Sequence, residues 1–242
     1  MTDRHEHQLA RWAKKGKPGS EPVQAATVVL LRDGDEGLET LMLKRNSKIA
    51  FGGMWVFPGG RVDDADADPE APEDEVATAR RTAVREAAEE AGVVLPLESL
   101  VAYSHWTPPP ITPRRFLTWF FMAPCPNAEI EIDGGEIHEH AWMTPSRALA
   151  QRDGGEIELA PPTWVTLWAL SRYDSVQQAI ESAQGIVPER FETRIAVEPA
   201  GPTAMWHGDA GWASGDAEAP GDRHRLCMHS GGWRYERTDR ID

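Results

Sequence analysis

The sequence predicts an α+β fold in which a long helix packs against a mixed β-sheet, and three observations predict it. Short apolar runs bounded by turn residues recur from residue 26 onward, the pattern of buried strands. Glu75 to Ala91 is rich in Ala, Glu and Arg, contains neither Gly nor Pro, and stops at Gly92, the pattern of a well-formed helix. Strand-like and helix-like segments mix along the rest of the chain, so sheet and helices are expected to share a core.

Residues 1–20 read as a polar, mobile tail, basic at Lys14, Lys15 and Lys17. The run 26–31 is a buried strand, ended by Arg32-Asp33-Gly34-Asp35 as a turn, and 39–45 pairs with it as a hairpin. Trp55-Val56-Phe57 is a short strand stopped by Pro58-Gly59-Gly60. Residues 63–75 hold eight carboxylates with Pro69 and Pro72, and read as a solvated loop. Beyond the long helix, strands are expected at 100–103, 116–123, 129–132 and 139–143. Helices are expected at 145–150, opened by Pro145, and at 163–172 and 175–183. Residues 186–242 change texture, being rich in Gly, Trp and His, with strand-like pieces at 193–197, 225–228 and 233–236. The expected organisation is a tail 1–20, a main folded domain 21–185 and a β-rich C-terminal extension 186–242. Trp206, Trp212 and Trp233 make that extension a candidate for a substrate mouth or a homodimer contact, or simply for an anchor to the core.

The net charge of −14 excludes the basic footprint that duplex nucleic acid requires. It is compatible with a small anionic substrate, because carboxylates hold divalent cations and the cations hold phosphates. Cys125 and Cys227 suit neither a disulfide framework nor a zinc pattern. No apolar run approaches the roughly 18 residues of a membrane span, and the N-terminus lacks the apolar stretch of a signal peptide. The chain therefore reads as soluble and cytoplasmic, with no membrane partner.

The long helix carries the chemistry. With about 100° per residue, Glu90 falls about 40° from Glu86 and Glu89 about 60° to the other side. The three carboxylates share one face, and Ala77, Val84, Ala87, Ala88 and Ala91 are expected to bury on the opposite one. Clustered like charges repel by roughly a few tenths of a kcal/mol per pair. Two readings relieve the repulsion. Divalent cations seek several hard oxygen ligands, or Arg80, Arg81 and Arg85 neutralise a solvated face.

Pro58-Gly59-Gly60-Arg61 lies upstream, and Arg85-Glu86-x-x-Glu89-Glu90-x-Gly92-Val93 closes the helix. This pattern resembles the Nudix box, Gx5Ex7REUxEExGU, in which U is a bulky aliphatic residue. Ala87 stands at the first U. Gly60 and Arg85 are 25 positions apart where the box has about 14, so the acidic loop reads as an insertion of about 11. The first box Glu, which in the family braces the Arg, is replaced by Ala77, with Glu73 or Glu75 as candidate substitutes.

The resemblance implies a Nudix fold, a mixed sheet sandwiched between helices in an α/β/α arrangement, and a pyrophosphohydrolase using Mg²⁺ or Mn²⁺. By match, Glu86, Glu89 and Glu90 are the metal ligands, with the Gly59 carbonyl, and Arg85 positions the glutamates. The further carboxylate that the family draws from a loop after the box falls to Glu136, six residues before Trp142, as general base or extra ligand; Glu139 is the second choice. The substrate class is a small nucleoside diphosphate linked to another group. Leu41-Met42-Leu43-Lys44-Arg45-Asn46-Ser47 with 53–60 resembles coenzyme A diphosphatases, with Lys48 as the candidate for an Arg that is missing midway. Trp106-Thr107-Pro108, Arg114-Arg115-Phe116 and Phe120-Phe121, with the box insertion, resemble the acyl-coenzyme A branch. Arg61, Arg114 and Arg115 are candidate phosphate contacts. The rival readings are an ADP-ribose or NADH pyrophosphatase, a nucleoside-triphosphate hydrolase, and a non-catalytic Nudix-fold binding module.

Overall fold

The β-branched and apolar residues that follow Val23 build the central strand of a computed structural model that describes residues 11, 19–46, 52–67, 70–125 and 129–238. The chain divides into two compact units. One contains 23–105 and 117–189, and the other contains the start of the chain, 106–116 and 190–242.

In the first unit, β1 (Val23–Gly34) pairs antiparallel with β2 (Gly37–Arg45), and Gly34 opposes Gly37. The turn is therefore Asp35-Glu36, later than the sequence suggested, and Gly37 takes the positive φ of 110° that closes it. β3 (Trp55–Val56) lies on β2, and β4 (Gly59–Arg61) lies on β1, with Gly59 opposite Thr27. The helix α1 (Glu75–Ala91) follows, then β5 (Val101–Thr107), β6 (Phe116–Pro124) and β7 (Ile137–Met143). The order across the mixed sheet is β3-β2-β1-β6-β5, and β7 pairs antiparallel with β2. Helices α2 (Pro145–Asp153), α3 (Pro161–Leu170) and α4 (Val176–Gln184) complete the unit. Pro145 and Pro161 open their helices, where a missing N–H costs nothing.

Strand alternation divides the sheet into two buried faces. Ala26, Val28 and Leu30 of β1 pack with Leu41, Leu43 and Phe121 under the alanines of α1. Val29, Leu31 and Met42, which point the other way, are fully buried as well. A strand covered on both sides reads as an unbroken apolar run, and 28–31 is one.

The segment 129–132 is not the strand its alternation suggested. Ile130 and Ile132 pack against the core, but the Glu131 N–H donates to the Ala91 carbonyl at 3.1 Å. The segment thus serves the orphan carbonyls at the end of α1 instead of a sheet ladder.

The second unit holds an antiparallel sheet in the order β12-β11-β10-β9, from β9 (Arg194–Glu198), β10 (Gly201–Met205), β11 (His224–His229) and β12 (Gly232–Arg237). β8 (Glu189–Glu192) and β10 escaped the sequence reading, because Gly201-Pro202 resembles a turn and 189–192 is mostly charged. Trp106, Phe191, Trp206, His224 and Tyr235 form its aromatic core; Trp106 stacks on Phe191 with centroids 3.9 Å apart. The expected tail 1–20 lies mostly outside the described residues, but the Gly19 and Ser20 N–H groups bond to Pro110 and Pro113. Cys125 and Cys227 are both buried, and neither is disulfide-bonded. No helix among the described residues is long and apolar enough to cross a membrane.

Candidate active site

Asp74 caps α1 by accepting from the Ala77 N–H at 2.9 Å, and Gly92 ends it in the left-handed region at φ 69°. The stripe that faces the sheet is Ala79, Ala83, Ala87 and Ala91, one residue per turn, so the helix backbone approaches the strands closely. This corrects the expected face. Ala87 and Ala91 are buried and Val84 partly so, but Ala77 is only half-buried and Ala88 is exposed. The buried arc consequently runs under the carboxylates, and the three glutamates differ. Glu90 is 5% exposed, Glu86 is half-buried and Glu89 is exposed.

The glycine pair receives this face. The Gly59 N–H donates to Glu90 Oε2 at 2.9 Å. A Cβ on Gly60 would stand 2.3 Å from Glu86 Oε1, so only glycine admits that carboxylate. A Cβ on Gly59 would instead strike β1, 2.5 Å from the Ala26 carbonyl oxygen. Neither residue has a positive φ, so close approach alone selects glycine at both.

Arg85 gathers the other two glutamates. Its Nη1 donates to Glu86 Oε1 at 2.8 Å and to Glu89 Oε2 at 2.9 Å, and its Nη2 donates to the Arg61 carbonyl at 3.0 Å. The opposite edge of the guanidinium forks onto Asp66, with Nε to Oδ1 at 3.0 Å and Nη2 to Oδ2 at 2.9 Å. Asp66 lies on a 3₁₀ turn, Asp64–Asp66, inside the acidic insertion, and it is buried. The insertion is therefore not solvated throughout. Glu75, one of the expected substitutes for the missing box Glu, accepts from Gln24 instead. Nothing in the composition of 63–75 distinguishes Asp66 among eight carboxylates; the one local signal is its capping-box spacing from Asp63.

Arg45, at the end of β2, was also missed as a site residue. Its Nη2 donates to Glu136 Oε2 and lies 3.8 Å from Glu90 Oε1. Glu136 reaches it from the loop before β7, where the Glu136 and Ile137 N–H groups bond to Asp133 and Gly134 supplies a positive φ. Glu139 instead pairs with Lys44 at 3.0 Å, across the β2–β7 ladder. The Arg61 side chain is exposed beside the Gly59-Gly60 pair. Arg114 and Arg115 belong to the other unit, and Lys48 lies outside the described residues.

Burial, helped by Glu86 and Glu136, pushes the Glu90 carboxyl up to about 7 against the pull of the Gly59 N–H and Arg45. Burial likewise raises Glu86, against the pull of Arg85 and with the help of Glu89. Burial would raise Asp66 too, but Arg85, the Asp63 N–H and Thr82 outweigh it and hold Asp66 below the ordinary carboxylate range. Among the described residues no three metal-binding side chains already converge in coordination geometry. The donor chemistry nonetheless fits a hard divalent cation. Glu86, Glu89 and Glu90 offer carboxylate oxygens on one helix face, two of them crowded into partly buried positions that disfavour their charge.

A glycine pair on a strand facing three glutamates on one helix suits a divalent cation, the kind of ion that assists hydrolysis of phosphoric anhydrides. A family profile described as the NUDIX domain matches residues 22–163, more than half of the chain, and the chain belongs to that family. It is 28% identical over 218 residues to a Caenorhabditis elegans protein called nudix hydrolase 7, covering 74% of this chain and 71% of the relative. A solved NUDIX hydrolase from Alicyclobacillus acidocaldarius superposes with a TM-score of 0.61 at 24% identity, covering 67% of this chain and 96% of the other, and shows the same fold. The chain is a pyrophosphohydrolase of the Nudix family.

Proposed function

We propose that this enzyme cleaves the diphosphate bond of coenzyme A or an acyl-coenzyme A, giving 3′,5′-ADP and (acyl-)phosphopantetheine. The hydrolase class rests on the family; the coenzyme A branch rests on the sequence around Arg45 and Trp106. One observation carries the chemistry: Glu90 is buried on the Gly59 N–H while Arg85 draws Glu86 and Glu89 beside it.

Glu86, Glu89 and Glu90, with the Gly59 carbonyl, would hold Mg²⁺ or Mn²⁺. Such an ion supplies charge to the diphosphate oxygens and lowers the pKa of water. Arg85 keeps Glu86 and Glu89 oriented, and Gly60 leaves room for the Glu86 carboxylate. Glu136 takes the proton of the attacking water, its carboxylate aimed by Arg45. Arg61, exposed beside the glycine pair, is the phosphate contact. The water oxygen bonds to one phosphorus, and the bond from that phosphorus to the bridging oxygen breaks.

The test is turnover of coenzyme A, acetyl-coenzyme A, NADH and ADP-ribose in parallel, with Mg²⁺, with Mn²⁺ and with chelator. Metal-dependent release of 3′,5′-ADP from the coenzyme A compounds is expected. Preference for ADP-ribose or NADH would keep the chemistry and discard the coenzyme A branch. Metal binding without turnover of any of the four would discard the coenzyme A branch and point to another diphosphate substrate.

A further inference from the structure

We infer that Asp66 is the positioning residue that sets the metal-holding face, so that the acidic insertion has taken over the bracing of Arg85 that position 77 cannot provide. The inference rests on the reading of Glu86, Glu89 and Glu90 as metal ligands.

Ala77 carries no carboxyl, yet Arg85 is not left to solvent on that side. Asp66 meets it edge to edge through both oxygens, at 3.0 and 2.9 Å. Asp66 is itself over-determined. Its Oδ2 also accepts from the Asp63 N–H at 2.9 Å and from Thr82 Oγ1 at 2.9 Å. Four donors thus converge on two carboxylate oxygens, and an aspartate accepts all of them because it donates none. Thr82 lies on α1 about one turn before Arg85, so the 3₁₀ turn is stapled to the helix at two successive turns.

The consequence passes through Arg85. One Nη1 serves both Glu86 and Glu89, so the orientation of one guanidinium fixes two ligand carboxylates. A fork held on one edge by Asp66 presents the other edge at a set angle. Without Asp66 that edge keeps only the hydrogen bond from Nη2 to the Arg61 carbonyl, a single point about which the guanidinium can swing and carry both glutamates with it. Partners that orient metal ligands in this way commonly change metal affinity or activity by about ten- to a hundredfold when removed.

Asp66→Asn keeps the shape but presents an NH₂ to donors and removes the charge. The measurement is Mn²⁺ affinity by electron paramagnetic resonance, with circular dichroism and a thermal melt, and kcat and KM on the substrate panel. The expected result is a Mn²⁺ Kd raised about ten- to a hundredfold, with kcat lowered and substrate KM little changed. Asp64→Asn, which alters an exposed carboxylate on the same turn, is expected to keep wild-type Mn²⁺ affinity. Wild-type Mn²⁺ affinity in a folded Asp66→Asn protein would overturn the inference. If that variant does not fold, Thr82→Val decides: it removes one of the four donors and leaves the carboxylate. A weaker Mn²⁺ complex supports the brace, and an unchanged one overturns it. Loss of Mn²⁺ in Asp66→Asn, with no turnover of any diphosphate by the wild type, would support the brace while discarding the proposed function.

Discussion

The guanidinium of Arg45 bonds to the carboxylate of Glu136, 2.5 Å from Nη2 to Oε2, and the same nitrogen lies 3.8 Å from Glu90. A cation from the end of β2 therefore stands between a loop carboxylate and the most buried glutamate of the helix. Arg45→Met leaves both acids uncompensated. Glu136 is well exposed, so the cost is moderate, about 1 kcal/mol in the metal-free protein. Added Mn²⁺ is expected to recover more of the melting temperature in the variant than in the wild type, because the ion replaces the lost charge. Equal recovery in both would separate Arg45 from the metal face.

Glu136→Gln tests the base. The amide keeps the size of the side chain but cannot take a proton. A fall in kcat of about 10²- to 10⁴-fold with little change in Mn²⁺ affinity is expected. An unchanged kcat would move the role elsewhere, and a collapse of metal affinity would make Glu136 a ligand.

Glu89 is exposed, so Glu89→Gln is expected to shift stability by no more than about 0.5 kcal/mol. Turnover should fall by about 10²-fold or more, since the substitution removes one of three charges from the face. Wild-type kcat/KM in this variant would dismiss the metal assignment.

The adjacent glycines should fail in different ways. In Gly60→Ala the new methyl meets the Glu86 carboxylate, the mobile end of a side chain. Glu86 is displaced, Mn²⁺ binding and turnover fall, and the melt changes little. In Gly59→Ala the methyl meets the backbone of β1, and overpacking of about 1–3 kcal/mol is expected in the melt. Comparable melts for the two would contradict the packing seen at β4.

The second unit carries a pH-dependent pair. Asp209 accepts from Arg225 at 2.7 and 2.6 Å and from the His224 and Gly211 N–H groups, with its side chain fully buried. Burial pushes its pKa up, but Arg225 and the two backbone donors outweigh burial and hold it below the ordinary carboxylate value. A depressed folded pKa stabilises above the unfolded value of about 3.9 and loses that stability as pH falls through the folded value. Asp209→Asn should cost about 3–5 kcal/mol at neutral pH by stranding Arg225. In melts followed from pH 7 downward, the gap to the wild type should stay constant until about pH 4 and then narrow. A gap that widens on acidification would contradict the sign.

Much of the site was legible because it is local. Glu86, Glu89 and Glu90 fall on one face by helix periodicity, and Gly59-Gly60 punctuates a strand end; neither inference needs a partner. The errors lie where a partner decides. Alternation at 129–132 looked like a strand, but its backbone is engaged by the end of α1. Spacing puts Ala88 opposite the glutamates, but the sheet contacts the helix along Ala79, Ala83, Ala87 and Ala91, which leaves Ala88 exposed.

The sequence by itself determined the α+β class, the carboxylate helix, its glycine stop and the family, all features of residue type and spacing along a short stretch. Only the tertiary structure decided which acid braces Arg85, which cation faces Glu136, and that Glu90 is the buried member of the three. Asp66 and Arg85 are 19 positions apart, and Arg45 and Glu136 are 91 apart. Helical and strand periodicities carry no information over such separations. The contacts exist because a 3₁₀ turn, a strand end and a loop converge on one helix, and convergence is a property of the packed chain.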